Sequence, residues 1–235
     1  MDKSINTYIM SSDKTIDSAM SMIEYSFSKY WPESNIIVLG YREPTSTYKN
    51  VKFQSLGNDL GPNKVCSQLY DFFSSCKEEQ FIFGVDDMPL MEIVDNNMIE
   101  YAHELLNLNK NIGRFGLTAD NASRSHALIE QVEDNQLIKS SFNDPYKLSC
   151  TYSIWNREYF LLYLRDFENL WQLETYGSQK SIHDNWEIYS FAKGLLNHSH
   201  VFKKGQLKDN WDRSCYTNEP LSDVDKNEMK KIYSL

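Results

Sequence analysis

Two aspartates in direct succession, Asp86 and Asp87, follow the apolar run Gln80-Phe-Ile-Phe-Gly-Val85. Adjacent carboxylates at the end of a buried strand repel one another, raise each other's pKa, and are relieved by a divalent cation. A hard ion such as Mg2+ or Mn2+ takes few protein carboxylates and completes its shell with water and phosphate oxygens. The pair reads as a metal–diphosphate site. The competing reading has Asp86 capping the next turn and Asp87 facing solvent.

A second constellation is Ser153-Ile-Trp-Asn-Arg-Glu-Tyr-Phe-Leu-Leu162, followed by Leu170-Trp-Gln-Leu-Glu-Thr-Tyr-Gly-Ser178. Here Asn156 is placed to cap a helix behind a strand ending in Trp155. Trp171 and Glu174 are three apart and share a helix face. An acid beside aromatic surface is partly desolvated, which raises its pKa toward the range of a general base. The competing reading makes Trp155 and Trp171 core anchors and Glu174 an exposed helix acid. Lys203 and Lys204, after an apolar stretch, could reach a diphosphate or form a solvated turn before Gly205. Asn197-His198-Ser-His200 has zinc-like spacing but no cysteine or further histidine at a partnering distance, and reads as a polar turn. His183 stands apart. Neither GxGxxG nor GxxxxGK[ST] occurs, nor a GxSxG elbow, which argues against dinucleotide, P-loop and serine-hydrolase chemistry.

These residues must be positioned by a chain of 235 residues with 41% hydrophobic and 24% charged content, enough for one well-buried domain. With 24 basic against 33 acidic residues, the net charge of -9 and the lack of a Lys/Arg stripe disfavour nucleic acid as a partner. No apolar run approaches the ~18 residues of a membrane span, and no signal peptide is visible. Four cysteines without CxxC pairing suggest reduced packing residues and a cytoplasmic setting. Strands are expected near Ile5–Met10, Asn35–Tyr41, Val51–Leu56, Gln80–Val85 and Ile112–Leu117, with helices to Lys29, through Ser75 and over Val94–Leu108. That alternation is the rhythm of an open α/β sheet with helices on both faces, whose ligands sit beyond the carboxyl ends of the strands. Later strands are expected at Gln136–Ser141, Leu148–Trp155 and His200–Leu207, and helices at Arg157–Arg165 and Asn169–Thr175.

The strand running into Asp86-Asp87-Met88, then Ser-Ile-Trp-Asn-Arg-Glu and Leu-Trp-Gln-Leu-Glu-Thr-Tyr-Gly-Ser, resembles GT-A glycosyltransferases of the family 2 type. The likeness is to small bacterial and viral members acting on surface glycans. It implies a mostly parallel α/β sheet in a single domain over 1–235. Within it, 1–118 would be the nucleotide-sugar half, 119–207 the acceptor side and 208–235 a surface tail. It further implies Mn2+ or Mg2+ on Asp86 and Asp87, with Asp86, Lys203 and Lys204 toward the diphosphate and Tyr41 and Arg42 toward the base. Trp155 and Trp171 would contact substrate, and Glu174, or secondly Asp184, would act as base. One late histidine could complete the metal shell. The implied partners are a nucleotide-sugar donor and a glycan or lipid-linked acceptor, the latter placing the enzyme peripherally at a membrane. The motif departs from Asp-x-Asp, which leaves open which aspartate touches the metal. The early acid for ribose or base is not singled out, Asp13 and Asp59 being candidates. Two further readings are a binding module of the same fold without turnover, and a metal-dependent phosphoryl-transfer or hydrolytic enzyme using the same acids.

Overall fold

A computed structural model of the chain describes residues 5–233 apart from 123, 125, 142, 204, 205, 209 and 210. The chain forms two compact units that interleave along the sequence: 1–57, 84–94 and 196–235 make the first, 58–83 and 95–195 the second.

In the first unit, β1 (Asn6–Met10), β2 (Asn35–Gly40) and β3 (Val51–Ser55) pair in parallel, with Ile9 opposite Val38 and Val38 opposite Phe53. Parallel neighbours need a long crossover, and α1 (Ile16–Tyr30) supplies the one from β1 to β2. Its Ile16, Ala19, Met20, Ile23 and Phe27 recur at helical spacing and are buried. Pro32 stops the helix, since proline offers no N–H and crowds the preceding turn. The segment expected as a surface tail is a correction: it contains a helix, Asp223–Tyr233, whose Met229 packs with Met22 of α1 and with Val201.

In the second unit the strand order is β4-β8-β5-β9-β7-β6: β4 (Gln80–Val85), β5 (Ile112–Gly116), β6 (His126–Val132), β7 (Asn135–Ser140), β8 (Ser153–Asn156) and β9 (Glu187–Phe191). Among the described residues of this unit, β5 and β9 pair in parallel and the other pairs are antiparallel. The expected mostly parallel sheet is therefore corrected to a mixed one. For the β6–β7 pair the reason is local: Glu133 (φ +52°) and Asp134 connect the strands, and two residues can join strands only as a hairpin.

Helices α2 (Val65–Ser75), α3 (Asn96–Leu108) and α4 (Arg157–Leu164) belong to this unit. Asn156 caps α4 as expected, accepting from the N–H groups of Glu158 and Tyr159. Phe73 stacks on Phe81 at 4.2 Å, and Phe160 closes on Phe73, Phe81 and Phe83 within 5.0–5.4 Å. Gly113 is required in β5, because a Cβ there would lie 2.4 Å from the Tyr159 ring. The Trp171–Glu174 segment is helical in pieces: Leu170–Gln172, then a π-turn over Leu173–Gly177, then Ser178–Lys180 and a 3₁₀ turn Ser181–His183. Among the described residues no helix is long and apolar enough to cross a membrane.

Candidate functional site

The Asp86–Asp87 pair follows β4 in the first unit, and its two carboxylates are treated differently. Asp86 N–H donates to Met10 O at the end of β1 at 3.1 Å. Its Oδ2 accepts from Ser11 Oγ at 2.6 Å and from Thr15 Oγ1 at 2.9 Å. Burial, with the charge of Asp87 adding to it, pushes the Asp86 pKa up, against the hydrogen bonds from Ser11, Thr15 and the Ser12 backbone. Both hydroxyls come from the turn into α1, so the loop after β1 is built around this acid.

Asp87 has no such cradle. Its Oδ2 meets His200 Nε2 at 2.5 Å, while its Oδ1 is buried with no hydrogen-bond partner. His200 arrives because residues 197–201 run alongside 87–91: Met91 N–H bonds Asn197 O, Ser199 N–H bonds Pro89 O, and Val201 N–H bonds Asp87 O at 2.9–3.1 Å. A buried carboxylate oxygen left without a donor is costly unless a cation meets it. Among the described residues no three His, Cys, Asp or Glu side chains form a ready metal cage. Asp87 and His200 supply one carboxylate and one imidazole, a partial shell that fits a Mg2+- or Mn2+-type ion drawing its other ligands from water and phosphate. His198 is a core residue, its ring edge-on to Tyr216 at 5.4 Å, and His183 lies in the 3₁₀ turn of the other unit.

Tyr41 and Arg42 leave β2 in the first unit. Arg42 N–H donates to Asp13 Oδ1 at 2.9 Å, and its guanidinium pairs with Asp17 at 2.9 Å and with Asp13 O at 3.1 Å. Asp13 thus anchors the residue proposed to meet the base. Asp59, the other early-acid candidate, accepts from Gly61 N–H at 2.7 Å and shapes its own turn. Lys203 falls in the two-residue strand β10 (Phe202–Lys203), paired with β11 (Gln206–Leu207), and Lys204 lies outside the described residues.

The second unit gathers its acids around a buried arginine. Arg114 of β5 is fully buried, lies over the Trp155 ring at 5.6 Å, and pairs with Asp120 at 3.7 Å. Burial works to raise the Asp120 pKa, but Arg114, the Thr118 hydroxyl and Arg124 outweigh it and hold the carboxyl below its usual range. Glu174 goes the other way: burial raises it, against the Cys150 N–H at 2.6 Å and the charge of Arg114. Neighbouring acids pushed apart in pKa are the arrangement acid–base chemistry uses.

Asp184 is occupied, accepting from the Tyr163 hydroxyl, from Trp186 N–H at 3.0 Å and from Lys147 at 3.4 Å. Trp155 is fully buried, so the direct substrate contact expected of it is corrected to a core role. Trp171 is 61% exposed and set edge-on to Tyr176 at 5.7 Å, which corrects the core-anchor reading for that residue. Arg114 and Asp120 were not singled out from sequence. The usable signal was a lone arginine inside the apolar run Ile112–Leu117, since an arginine in a buried strand demands a paired acid.

No protein-family model matches the chain, and no curated protein matches it. Among solved structures, Staphylococcus aureus TarS 1–349 in complex with UDP-GlcNAc superposes with a TM-score of 0.50 and 13% identity over 86% of this chain. The aligned region is 60% of that TarS chain. A cytidylyltransferase from Leptospira borgpetersenii serovar Hardjo-bovis gives 0.46 and 10% over 79% of this chain and 75% of that one. An apo UDP-glucose pyrophosphorylase gives 0.47 and 8% over 83% and 93%. At such identities the likeness concerns fold, and the chain is similar in fold to that TarS fragment.

Proposed function

We propose that the chain is a nucleotide-sugar-dependent glycosyltransferase of GT-A type. The observation that carries this reading is Asp87, beyond the end of β4, with an unpartnered buried oxygen on one side and His200 on the other. Ligands of open α/β sheets bind at such strand ends. The fold likeness to a protein solved with UDP-GlcNAc supports a UDP-sugar as the first donor to test.

Asp87 and His200 would hold the ion, while Asp86, pinned by Ser11 and Thr15, keeps the loop in place. A bound divalent ion supplies positive charge where the leaving diphosphate accumulates negative charge. Arg42, braced by Asp13 and Asp17, offers a cation beside Tyr41 for the nucleoside end of the donor. In the transfer, the acceptor oxygen forms a bond to the anomeric carbon as the carbon–phosphate-oxygen bond breaks. The acceptor proton goes to a carboxylate. Glu174 is the proposed acceptor of that proton, because burial raises its pKa and it accepts from the Cys150 N–H, whereas Asp184 is held by Tyr163, Trp186 N–H and Lys147.

The test is consumption of nucleotide sugars in Mn2+ with and without a glycan acceptor. A transferase consumes donor only with acceptor, a hydrolase consumes it without, and a binding module binds and consumes nothing. Donor binding that needs no metal and survives Asp87→Asn defeats the assignment.

A further inference from the structure

The C-terminal helix Asp223–Tyr233 is tied to α1 by one carboxylate. Asp225 is 1% exposed, yet four side chains donate to it. Tyr25 Oη reaches Oδ1 at 2.8 Å and Lys29 Nζ reaches the same oxygen at 2.7 Å. Tyr30 Oη reaches Oδ2 at 2.6 Å, and Ser222 Oγ donates to it as well. Burial works to raise its pKa, but these donors outweigh that and hold it below the usual range. The tyrosines respond in the opposite sense, with Tyr25 pushed up to about 12 by burial and by Asp225.

One turn further along, the helix brings Met229 against Val201 and Met22, all three at 1% exposure or less, with Tyr25, Trp211 and Ile232 packed around them. Val201 is the residue after His200, and its N–H bonds the carbonyl of Asp87 itself at 2.9 Å. The packing that closes over Val201 therefore bears on the one residue whose neighbours on either side of the backbone bond are the two proposed ligands. His200 is 41% exposed on its side chain, so its own packing does little to hold it. Its backbone is held by the ladder to 87–91, by Lys208 N–H on Val201 O and Cys215 N–H on His198 O at 3.0 Å each, and by the apolar plug behind Val201.

We propose that Asp225 is a positioning residue: by docking the C-terminal helix on α1, it holds Met229 over Val201 and keeps His200 against Asp87. The inference rests on the reading of Asp87 and His200 as the ion-holding pair, and it predicts that a change remote from that pair alters it. The docked helix acts on the site through Val201.

The test compares wild type with Asp225→Ala and with the milder Tyr30→Phe, which removes one donor and leaves Lys29 and Tyr25 on the carboxylate. Amide hydrogen exchange is followed at Val201 and, as the internal reference, at Ile9 and Val38 in β1 and β2. Mn2+ affinity is measured by titration calorimetry on the protein without substrate. Asp225→Ala should lower protection of Val201 by about tenfold relative to the reference amides, with Tyr30→Phe moving it in the same direction by less. It should weaken Mn2+ by about fivefold or more, the lower end of ordinary site-to-site coupling. Because the helix acts through His200, adding Asp225→Ala to His200→Ala should cost little further Mn2+ affinity, a non-additive cycle. Protection of Val201 that falls only in step with Ile9 and Val38, or affinity losses that simply add, overturns the latch. Wild type that fails to bind Mn2+ defeats the metal reading instead. In that case the exchange at Val201 still decides whether the helix holds the His200 segment.

Discussion

Replacing Ser11 by alanine asks whether Asp86 belongs to the scaffold rather than to the ligand shell. Ser11 is 1% exposed and donates to Asp86 Oδ2 at 2.6 Å, with Thr15 the second donor to the same oxygen. A hydrogen bond to a charged group contributes about 1.5–3 kcal/mol. Thr15 remains in the variant, so the lower end applies, a loss of about 1.5 kcal/mol. In a chain of this size that corresponds to a Tm lower by about 3–6 °C. Urea unfolding followed by circular dichroism, in metal-free buffer, measures it. Pairing Ser11→Ala with Asp86→Asn in a double-mutant cycle isolates the contact, with an expected coupling of about 1 kcal/mol or more. Asp87→Asn is the contrast: its Oδ1 has no donor to lose, its charge faces that of Asp86, and the His200 pair it weakens is partly exposed and contributes little. Stability should therefore stay within about 0.5 kcal/mol of wild type or rise, even as metal-dependent donor binding is lost. A Ser11–Asp86 coupling below about 0.3 kcal/mol refutes the scaffold role. So does an Asp87→Asn loss as large as that of Ser11→Ala.

Glu174→Gln should leave donor binding intact and lower turnover by about 10²-fold or more, read as kcat against KM in a steady-state assay; near-normal turnover moves the base elsewhere. Trp171→Ala removes an exposed ring and should raise the acceptor KM without lowering Tm, whereas a large Tm loss would show that the ring is structural. Asp225 carries a lowered pKa in the folded state, so its stabilisation is present above the unfolded carboxyl pKa of about 3.9 and is lost as pH falls through the folded value. Asp225→Asn should therefore flatten the acid limb of stability below about pH 4, and an unchanged limb in an acid titration of unfolding contradicts the assignment.

The alternation of apolar runs and helical spacing made α1, α2, α3 and the first five strands legible from the chain alone. Local backbone preference and one-sided burial coincide there. Strand β9 was missed although its Ile188, Ser190 and Phe191 are buried; β6 and the C-terminal helix were missed because they lack that coincidence. β6 (His126–Val132) is exposed along nearly its whole length, so no alternation marks it, and it exists because β7 supplies its hydrogen bonds. The helix at Asp223–Tyr233 is largely polar, and it reads as a tail until α1 is there to receive Asp225 and Met229.

The candidate site divides the same way. That Asp86 and Asp87 end a buried strand, that Asn156 caps α4, and that Glu174 lies beside aromatic residues are statements about neighbours in sequence, and the order of residues was enough for them. Which aspartate is pinned and which is open was not, because the deciding donors, Ser11 and Thr15, stand 75 and 71 residues away from Asp86. The pairing of His200 with Asp87, the burial of Trp155 and the exposure of Trp171 are likewise products of how distant segments meet. Side-chain chemistry is written residue by residue. Proton donors, partner charges and access to water come from whatever the folded chain carries up against each residue, and only the tertiary structure specifies that.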